Sequence, residues 1–173
     1  IRSKFAAITV TRGAKHSYLS MNILCTDGCI AIDMIGYIKK ITQGIVADTR
    51  RVSPANADLF DIDPTSLSLS SVEKESFHTK VAQLLYLAKR ARLDLLTAVS
   101  HLASRVSCPS VNDQKKLNDV LSYLINTMDR KMMLKSAGRP FDLNCYIDAS
   151  YGEDDATSRS GVVVYACGVA ILG

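Results

Sequence analysis

The clearest structural signal in the chain is the stretch SVEKESFHTKVAQLLYLAKRA, residues 71–91. Its apolar side chains recur at intervals of three and four residues, which places them on one face of a helix. They are Phe77, Val81, Leu84, Leu85 and Ala88. Ser70 and Glu73 have the spacing of a capping box, in which each side chain bonds the backbone N–H of the other residue. The stretch therefore predicts an amphipathic helix that begins near residue 71.

Two more helical patterns follow this one. The first has an apolar stripe, a possible N-terminal cap at Asp94 and a stop at Pro109. Its stripe consists of Leu95, Ala98, Val99, Leu102 and Val106. The second begins near Asn112, with Leu117, Val120, Leu121, Leu124 and Met128 on one face. Three amphipathic helices with short connections predict a small helical bundle.

The segment before the helices has the pattern of β-strands. SYLSMNIL (17–24) and CIAIDM (29–34) flank Asp27-Gly28, a dipeptide that favours tight hairpin turns because both residues tolerate positive φ. A short helix is predicted next, in IGYIKKITQG (35–44). Residues 46–70 contain prolines and many small polar residues, and they predict an extended connector rather than a packed element.

The C-terminal segment returns to the two-residue period of strands. FDLNCYIDAS (141–150) alternates apolar and polar residues, and its last outward-facing residue is Asp148. SGVVVY and VAIL predict two more strands, joined by a tight connection at residues 166–168. The fold class is therefore α+β. The run GVVVYACGVAIL combines high β-propensity with no charge and no proline, so we expect an incompletely covered sheet that aggregates.

Composition limits the classes of function. The chain has 173 residues and a net charge of +4, and it contains no apolar stretch near the roughly 20 residues of a membrane-spanning helix. No charged segment followed by an apolar one comes after Ile1, so we expect no signal peptide. We expect no membrane partner and a cytoplasmic or nuclear location. Cys25 and Cys29 have the spacing of zinc ligands, but no second Cys or His pair accompanies them, so reduced core cysteines are the simpler interpretation.

Basic residues gather in three clusters between residues 89 and 131: KRAR (89–92), QKK (114–116) and DRK (129–131). They fit a solvated helix face or a surface for an anionic partner, and the sequence alone leaves both open. Asp148 likewise fits an exposed strand-end acid or a rigidly held metal ligand.

Several segments, taken in order, carry a resemblance to a known family. They are HSYLSMNI, YIKKI, FHTKVAQLLYLAKRARLDLLTAVSHLAS, LNDVLSYLINTMDRKMML, LNCYIDAS and TSRSGVVVYACG. In order and approximate spacing they resemble the C-terminal part of the copia-type retrotransposon polyprotein, where reverse transcriptase leads into ribonuclease H. YGEDD (151–155) is similar to the polymerase motif Y-x-D-D only superficially, because it lies among small polar residues and not between apolar strands.

The resemblance implies a role for each part. Residues 1–45 would be the end of the palm, residues 46–70 a connector, residues 71–137 the thumb, and residues 138–173 the start of a ribonuclease H domain. The family places its primer grip at Tyr18, Leu19, Ser20 and Met21. A thumb holds an RNA:DNA hybrid or duplex by its phosphates, and this would engage Lys89, Arg90, Arg92, Lys115 and Lys116. Asp148 would be a catalytic, magnesium-binding aspartate.

Three positions depart from the family pattern. Ser20 replaces a glycine, Leu93 a proline and Ser150 an acid. The polymerase aspartates would lie before Ile1 and the other ribonuclease H carboxylates after Gly173, so we expect an inactive chain that binds magnesium weakly. The alternative is a non-catalytic nucleic-acid-binding or interaction module derived from a retrotransposon.

Overall fold

A computed structural model describes residues 10–135, 142–150, 159–166 and 168–172. In this part the chain is a mixed α+β structure, as the sequence predicts, and it has four α-helices and two antiparallel sheets. The elements are β1 (Lys15–Tyr18), β2 (Met21–Thr26), β3 (Cys29–Asp33), α1 (Ile35–Ile41), α2 (Ser71–Ala91), a 3-10 turn (Leu93–Leu95), α3 (Leu96–Ser104), α4 (Val111–Asn126), β4 (Met132–Lys135), β5 (Leu143–Ser150), β6 (Arg159–Ala166) and β7 (Val169–Leu172).

The first sheet has the strand order β1-β2-β3-β4. The predicted hairpin between β2 and β3 is present, and Gly28 adopts a φ of +71° in its turn. The predicted single strand over residues 17–24 is wrong, because the chain turns back at Leu19 and Ser20, whose φ angles are +48° and +65°. No glycine or asparagine marked this turn in the sequence.

Helix α2 begins as its sequence predicts. The backbone N–H of Ser70 donates to Glu73 Oε2 at 2.8 Å, and the backbone N–H of Glu73 donates to Ser70 Oγ at 3.4 Å, which completes the capping box. Ser110 and Asp113 form a second capping box at the start of α4. The predicted cap at Asp94 is wrong, because Asp94 lies in the 3-10 turn and binds Arg92 instead.

One apolar core joins the N-terminal segment to the helices. Met34 and Ile38 are buried in the same cluster as Phe77, Leu84 and Leu124. The connector also reaches this core, because Leu59 and Leu69 are buried in it. Residues 46–70 thus lack helices and regular strands, as predicted, but they pack against the bundle more closely than an extended connector would.

The ends of α2 and α4 lie side by side. At the N-terminal ends, Leu69 N–H donates to Pro109 O and Val111 N–H donates to Leu67 O, at 3.1 and 2.9 Å. At the C-terminal ends, Arg92 donates to the carbonyl of Thr127 at 2.9 Å. The two helices therefore run parallel, and this arrangement fixes which basic residues can share a surface.

The second sheet has the order β5-β6-β7, with β7 close to β4 and the 3-10 turn. Its three strands and the tight connection at Gly168 occur where the sequence predicts them. The prediction of a half-buried β5 is wrong, because every residue from 142 to 149 is exposed. Within the described ranges, no helix is both long and apolar enough to cross a membrane.

Candidate nucleic-acid interface

The turn between β1 and β2 is held against helix α2. Tyr86, on α2, donates its hydroxyl hydrogen to the carbonyl oxygen of Leu19 at 2.9 Å. Tyr18 and Leu19 remain 62% and 48% exposed, whereas Met21 packs against the apolar core. The segment that the resemblance assigns to a primer grip is therefore a fixed turn that presents two apolar side chains to solvent.

Basic residues of α2 flank this turn. The Arg90 guanidinium lies 3.6 Å from the centre of the Tyr86 ring and donates to the Tyr86 carbonyl at 3.0 Å. Lys89 is exposed one residue earlier in the same helical turn. We call Tyr18–Met21 together with Tyr86, Lys89 and Arg90 the turn–helix surface.

A second tyrosine, Tyr37, packs against Tyr86 of the turn–helix surface. The rings of Tyr37 and Tyr86 are 5.3 Å apart, and the Tyr37 hydroxyl donates to the Gln83 carbonyl at 3.3 Å. Burial raises the pKa of Tyr37 and Tyr86 raises it further, while Arg90 opposes them. Both rings and the cation therefore form one packed unit, which holds Arg90 in place.

Arg92 does not belong to this surface. Its side chain is 2% exposed and donates two hydrogen bonds to Asp94, at 2.9 and 2.8 Å. It also donates to the Thr127 carbonyl and hydroxyl oxygens, at 2.9 and 2.7 Å. The Tyr123 hydroxyl completes the cluster by donating to Asp94 at 2.8 Å. This geometry makes Arg92 a clamp between the ends of α2 and α4.

Lys116 is also used internally. It is 8% exposed, and its ammonium group donates to the carbonyl oxygens of Leu59 and Asp61 at 2.9 and 2.6 Å. Lys115 beside it is exposed. Since Lys89 lies 18 residues into α2 and Lys115 only four residues into the parallel α4, a rise of about 1.5 Å per residue separates them by about 20 Å along the bundle.

The structure therefore divides the five basic residues predicted to bind nucleic acid. It brings Lys89 and Arg90 to the turn–helix surface, leaves Lys115 at the other end, and binds Arg92 and Lys116 within the fold. This division could not be predicted from the sequence, because a basic residue that donates to buried carbonyls and one that faces solvent have the same appearance in a sequence pattern. Tyr86 was not identified from the sequence as part of an interface, because it lies beside the apolar stripe of α2 and has the pattern of a core residue.

Asp148 is exposed near the end of β5, opposite Gly161 of β6. Its Oδ1 atom accepts a hydrogen bond from the backbone N–H of Ala149 at 2.9 Å. Within the described ranges no three His, Cys, Asp or Glu residues group as metal ligands, and residues 151–155 lie outside those ranges. The described residues thus do not fit a two-metal magnesium site, which joins several carboxylates to ions about 3.5 to 4 Å apart.

Comparison with known proteins gives an origin for the chain. It is 30% identical, over 144 residues, to the retrovirus-related Pol polyprotein from transposon RE2 of Arabidopsis thaliana. This similarity supports an origin in a retrotransposon polyprotein. The alignment covers 73% of the chain, which spans only about a tenth of the length of that relative. No protein-family model matches the chain, and no solved structure matches it.

Proposed function

We propose that the chain comes from the end of the reverse transcriptase and the start of the ribonuclease H of a copia-type element, and that it binds an RNA:DNA hybrid or a DNA duplex. The similarity to a retrotransposon Pol polyprotein supports this origin. The order of the sequence motifs supports the region of the polyprotein, with residues 1–45 as palm, 71–137 as thumb and 138–173 as ribonuclease H. The mixed α+β fold is compatible with that division.

The hydrogen bond from Tyr86 to Leu19 is the observation that carries the proposal. It joins the turn assigned to a primer grip to the basic end of the helix assigned to the thumb. A duplex that lies across the turn and this end of the helix would contact the exposed side chains of Tyr18 and Leu19 on one side. On the other side it would contact the cationic side chains of Lys89 and Arg90. Contacts of cations with phosphates are independent of sequence, as template-primer binding requires.

Arg90 is well prepared for this role. A guanidinium has five N–H donors in a fixed plane, and Arg90 uses one of its nitrogens to hold the Tyr86 carbonyl. Stacking on Tyr86 reduces the side-chain freedom that would otherwise be lost on binding a phosphate. We limit the proposal to binding, because within the described ranges Asp148 does not belong to a group of three or more possible metal ligands.

A titration with a fluorescent RNA:DNA hybrid of about 20 base pairs at low salt tests the proposal. We expect a Kd on the order of micromolar or weaker, since nonspecific binding has that range. The double variant Lys89→Gln/Arg90→Gln should bind at least about tenfold more weakly. The matched control Lys74→Gln/Lys115→Gln removes the same charge near the other end of the bundle and should bind within about twofold of the parent. Equal losses in the two variants would contradict the proposed surface.

A second candidate is a protein-interaction module, favoured by apolar residues that the connector leaves exposed. Val46, Val52 and Leu67 are 94%, 84% and 77% exposed. A parent chain that fails to bind the hybrid at low salt would favour this candidate over the first.

A further inference from the structure

Tyr86 contacts both halves of the turn–helix surface, and it uses a different part of its side chain for each. Its hydroxyl group donates to the Leu19 carbonyl at 2.9 Å. Its ring faces the Arg90 guanidinium, which lies 3.6 Å from the ring centre. Leu19 and Tyr86 are 67 residues apart in the chain. One side chain therefore sets the position of two segments that are distant in sequence.

The turn depends on such a contact because its backbone is strained. Leu19 and Ser20 form the two-residue loop between the paired residues Tyr18 and Met21, and both have positive φ. This conformation suits the twist of a hairpin, but it is unfavourable for residues that have a Cβ atom. Strained backbone persists only where the surrounding structure holds it, and it is concentrated at active sites and ligand-binding sites. The Tyr86 hydroxyl provides a contact of this kind at Leu19.

The strand that leads into the turn adds little packing of its own. β1 has four residues, and Lys15, Ser17 and Tyr18 are exposed. On the other side of the turn, Met21 packs against the apolar core. Without the hydrogen bond from Tyr86, the tip of this hairpin would depend on the strand pairing and on Met21. We therefore expect the tip to open locally when that bond is removed.

Arg90 depends on the Tyr86 ring and not on the hydroxyl group. The hydrogen bond that Arg90 donates at 3.0 Å is accepted by the backbone carbonyl of Tyr86, so it does not require the tyrosine side chain. The contact of the guanidinium with the ring does require it. A cation that already lies against an aromatic ring loses less conformational freedom when it binds a phosphate.

We propose that Tyr86 is a positioning residue for nucleic-acid binding, whose hydroxyl group holds the turn that presents Tyr18 and whose ring holds Arg90 for contact with phosphate. This inference rests on the proposed function, because it describes how one residue prepares that same surface. All the contacts that support it lie within residues 10–135. The two roles are separable by substitution, since phenylalanine keeps the ring and removes only the hydroxyl group, whereas leucine removes both.

Titration of the chain with the fluorescent RNA:DNA hybrid tests the role of the hydroxyl group. Tyr86→Phe should weaken binding about threefold to tenfold, because the released turn must then be ordered when the hybrid binds. The slope of log K against log salt concentration should stay within about 0.5 of the parent slope, because no cation is removed.

Tyr123→Phe is the matched control for a loss of stability. The Tyr123 hydroxyl also donates a hydrogen bond, to Asp94 at 2.8 Å, but it lies at the Arg92 clamp and not on the turn–helix surface. This variant should be less stable than the parent and should bind the hybrid within about twofold of it.

Two double-mutant cycles separate the roles of the hydroxyl group and the ring. Tyr18→Ala should weaken binding less in the Tyr86→Phe background than in the parent, because the turn no longer holds Tyr18 in place. Arg90→Gln should weaken binding equally in the parent and in Tyr86→Phe, but less in Tyr86→Leu, which lacks the ring. Circular dichroism and urea unfolding establish that the variants are folded. If Tyr86→Leu does not fold, the nearly isosteric Tyr86→Phe still decides the role of the hydroxyl group.

Equal affinities of the parent and Tyr86→Phe would overturn the proposal. So would equal losses in Tyr86→Phe and Tyr123→Phe, because reduced stability alone would then explain them. The role of the ring is wrong if Arg90→Gln weakens binding as much in Tyr86→Leu as in the parent. In these cases a loss of binding in Lys89→Gln/Arg90→Gln would still support the proposed function, so the two failures are distinguishable. A parent chain that does not bind the hybrid contradicts both.

Discussion

Ser20 has a backbone conformation that is unusual for a residue other than glycine. In the resemblance described above this position corresponds to a glycine, and the structure gives Ser20 a φ of +65° in the turn that contacts Tyr86. Non-glycine residues adopt this conformation at a cost of about 1 to 2 kcal/mol, whereas glycine adopts it freely. The turn thus keeps its shape in this chain at the expense of backbone strain.

We predict that Ser20→Gly raises the free energy of unfolding by about 0.5 to 1 kcal/mol, because the relief of strain exceeds the entropy that glycine adds to the unfolded chain. Ser17→Gly is the matched control. Ser17 lies within β1, where glycine has no such advantage and should destabilise the fold. Urea unfolding measures both, and a Ser20→Gly variant less stable than the parent would contradict the strained turn.

The stability of the fold is expected to depend on pH through Asp94. Burial alone would raise its pKa, but the hydrogen bonds and charge of Arg92, together with the Tyr123 hydroxyl, lower it overall. A carboxyl with a lowered pKa in the folded state stabilises the fold above its unfolded pKa of about 3.9. This contribution is lost as the pH falls through the folded pKa.

We therefore expect unfolding experiments between pH 6 and about pH 2.5 to show a loss of stability at the acidic end. Asp94→Asn should be less stable than the parent at pH 6, and its stability should fall less steeply with acid because the titrating group is gone. An unchanged acid dependence in this variant would show that Asp94 is not its source.

At the scale of elements, features that depend on neighbouring residues were predicted from the sequence, whereas features that depend on distant contacts were not. The start of α2 is marked by the capping box of Ser70 and Glu73, so a stretch of four residues sufficed to predict it. The packing of residues 46–70 depends on α4, which lies far along the chain. Asn126 donates to the carbonyls of Asp48 and Arg51, at 2.8 and 3.0 Å, and no local pattern encodes such contacts. The same limit applies to the basic residues, because contacts with distant parts of the chain, such as that of Arg92 with Thr127, decide which of them face solvent.

Lys116 tests whether the connector belongs to the folded unit. We predict that Lys116→Met costs about 1 to 3 kcal/mol of stability, because the carbonyls of Leu59 and Asp61 lose a charged donor. Lys115→Met, one residue away and exposed, should change stability by no more than about 0.5 kcal/mol. Similar effects of the two substitutions in urea unfolding would mean that Lys116 does not hold the connector to α4.

At the scale of the whole molecule, the described part of the second sheet leaves several apolar side chains exposed to solvent. Leu143, Tyr146, Ile147, Val162 and Ile171 all remain exposed on it. We predict that a chain ending after Pro140 is more soluble than the full chain, since it lacks these strands. The concentration left in solution after centrifugation measures this, and a truncated chain that is less soluble or unfolded would contradict the prediction.

The central claim is that the turn–helix surface binds nucleic-acid phosphates, and the salt dependence of hybrid binding tests it most directly. Each phosphate contact contributes roughly 0.9 to the slope of log K against log salt concentration on duplex DNA. We predict a steep negative slope for the parent and a slope smaller in magnitude by about 1 to 2 for Lys89→Gln/Arg90→Gln. The control Lys74→Gln/Lys115→Gln should keep the parent slope. A slope that is the same in the parent and in Lys89→Gln/Arg90→Gln would contradict the claim.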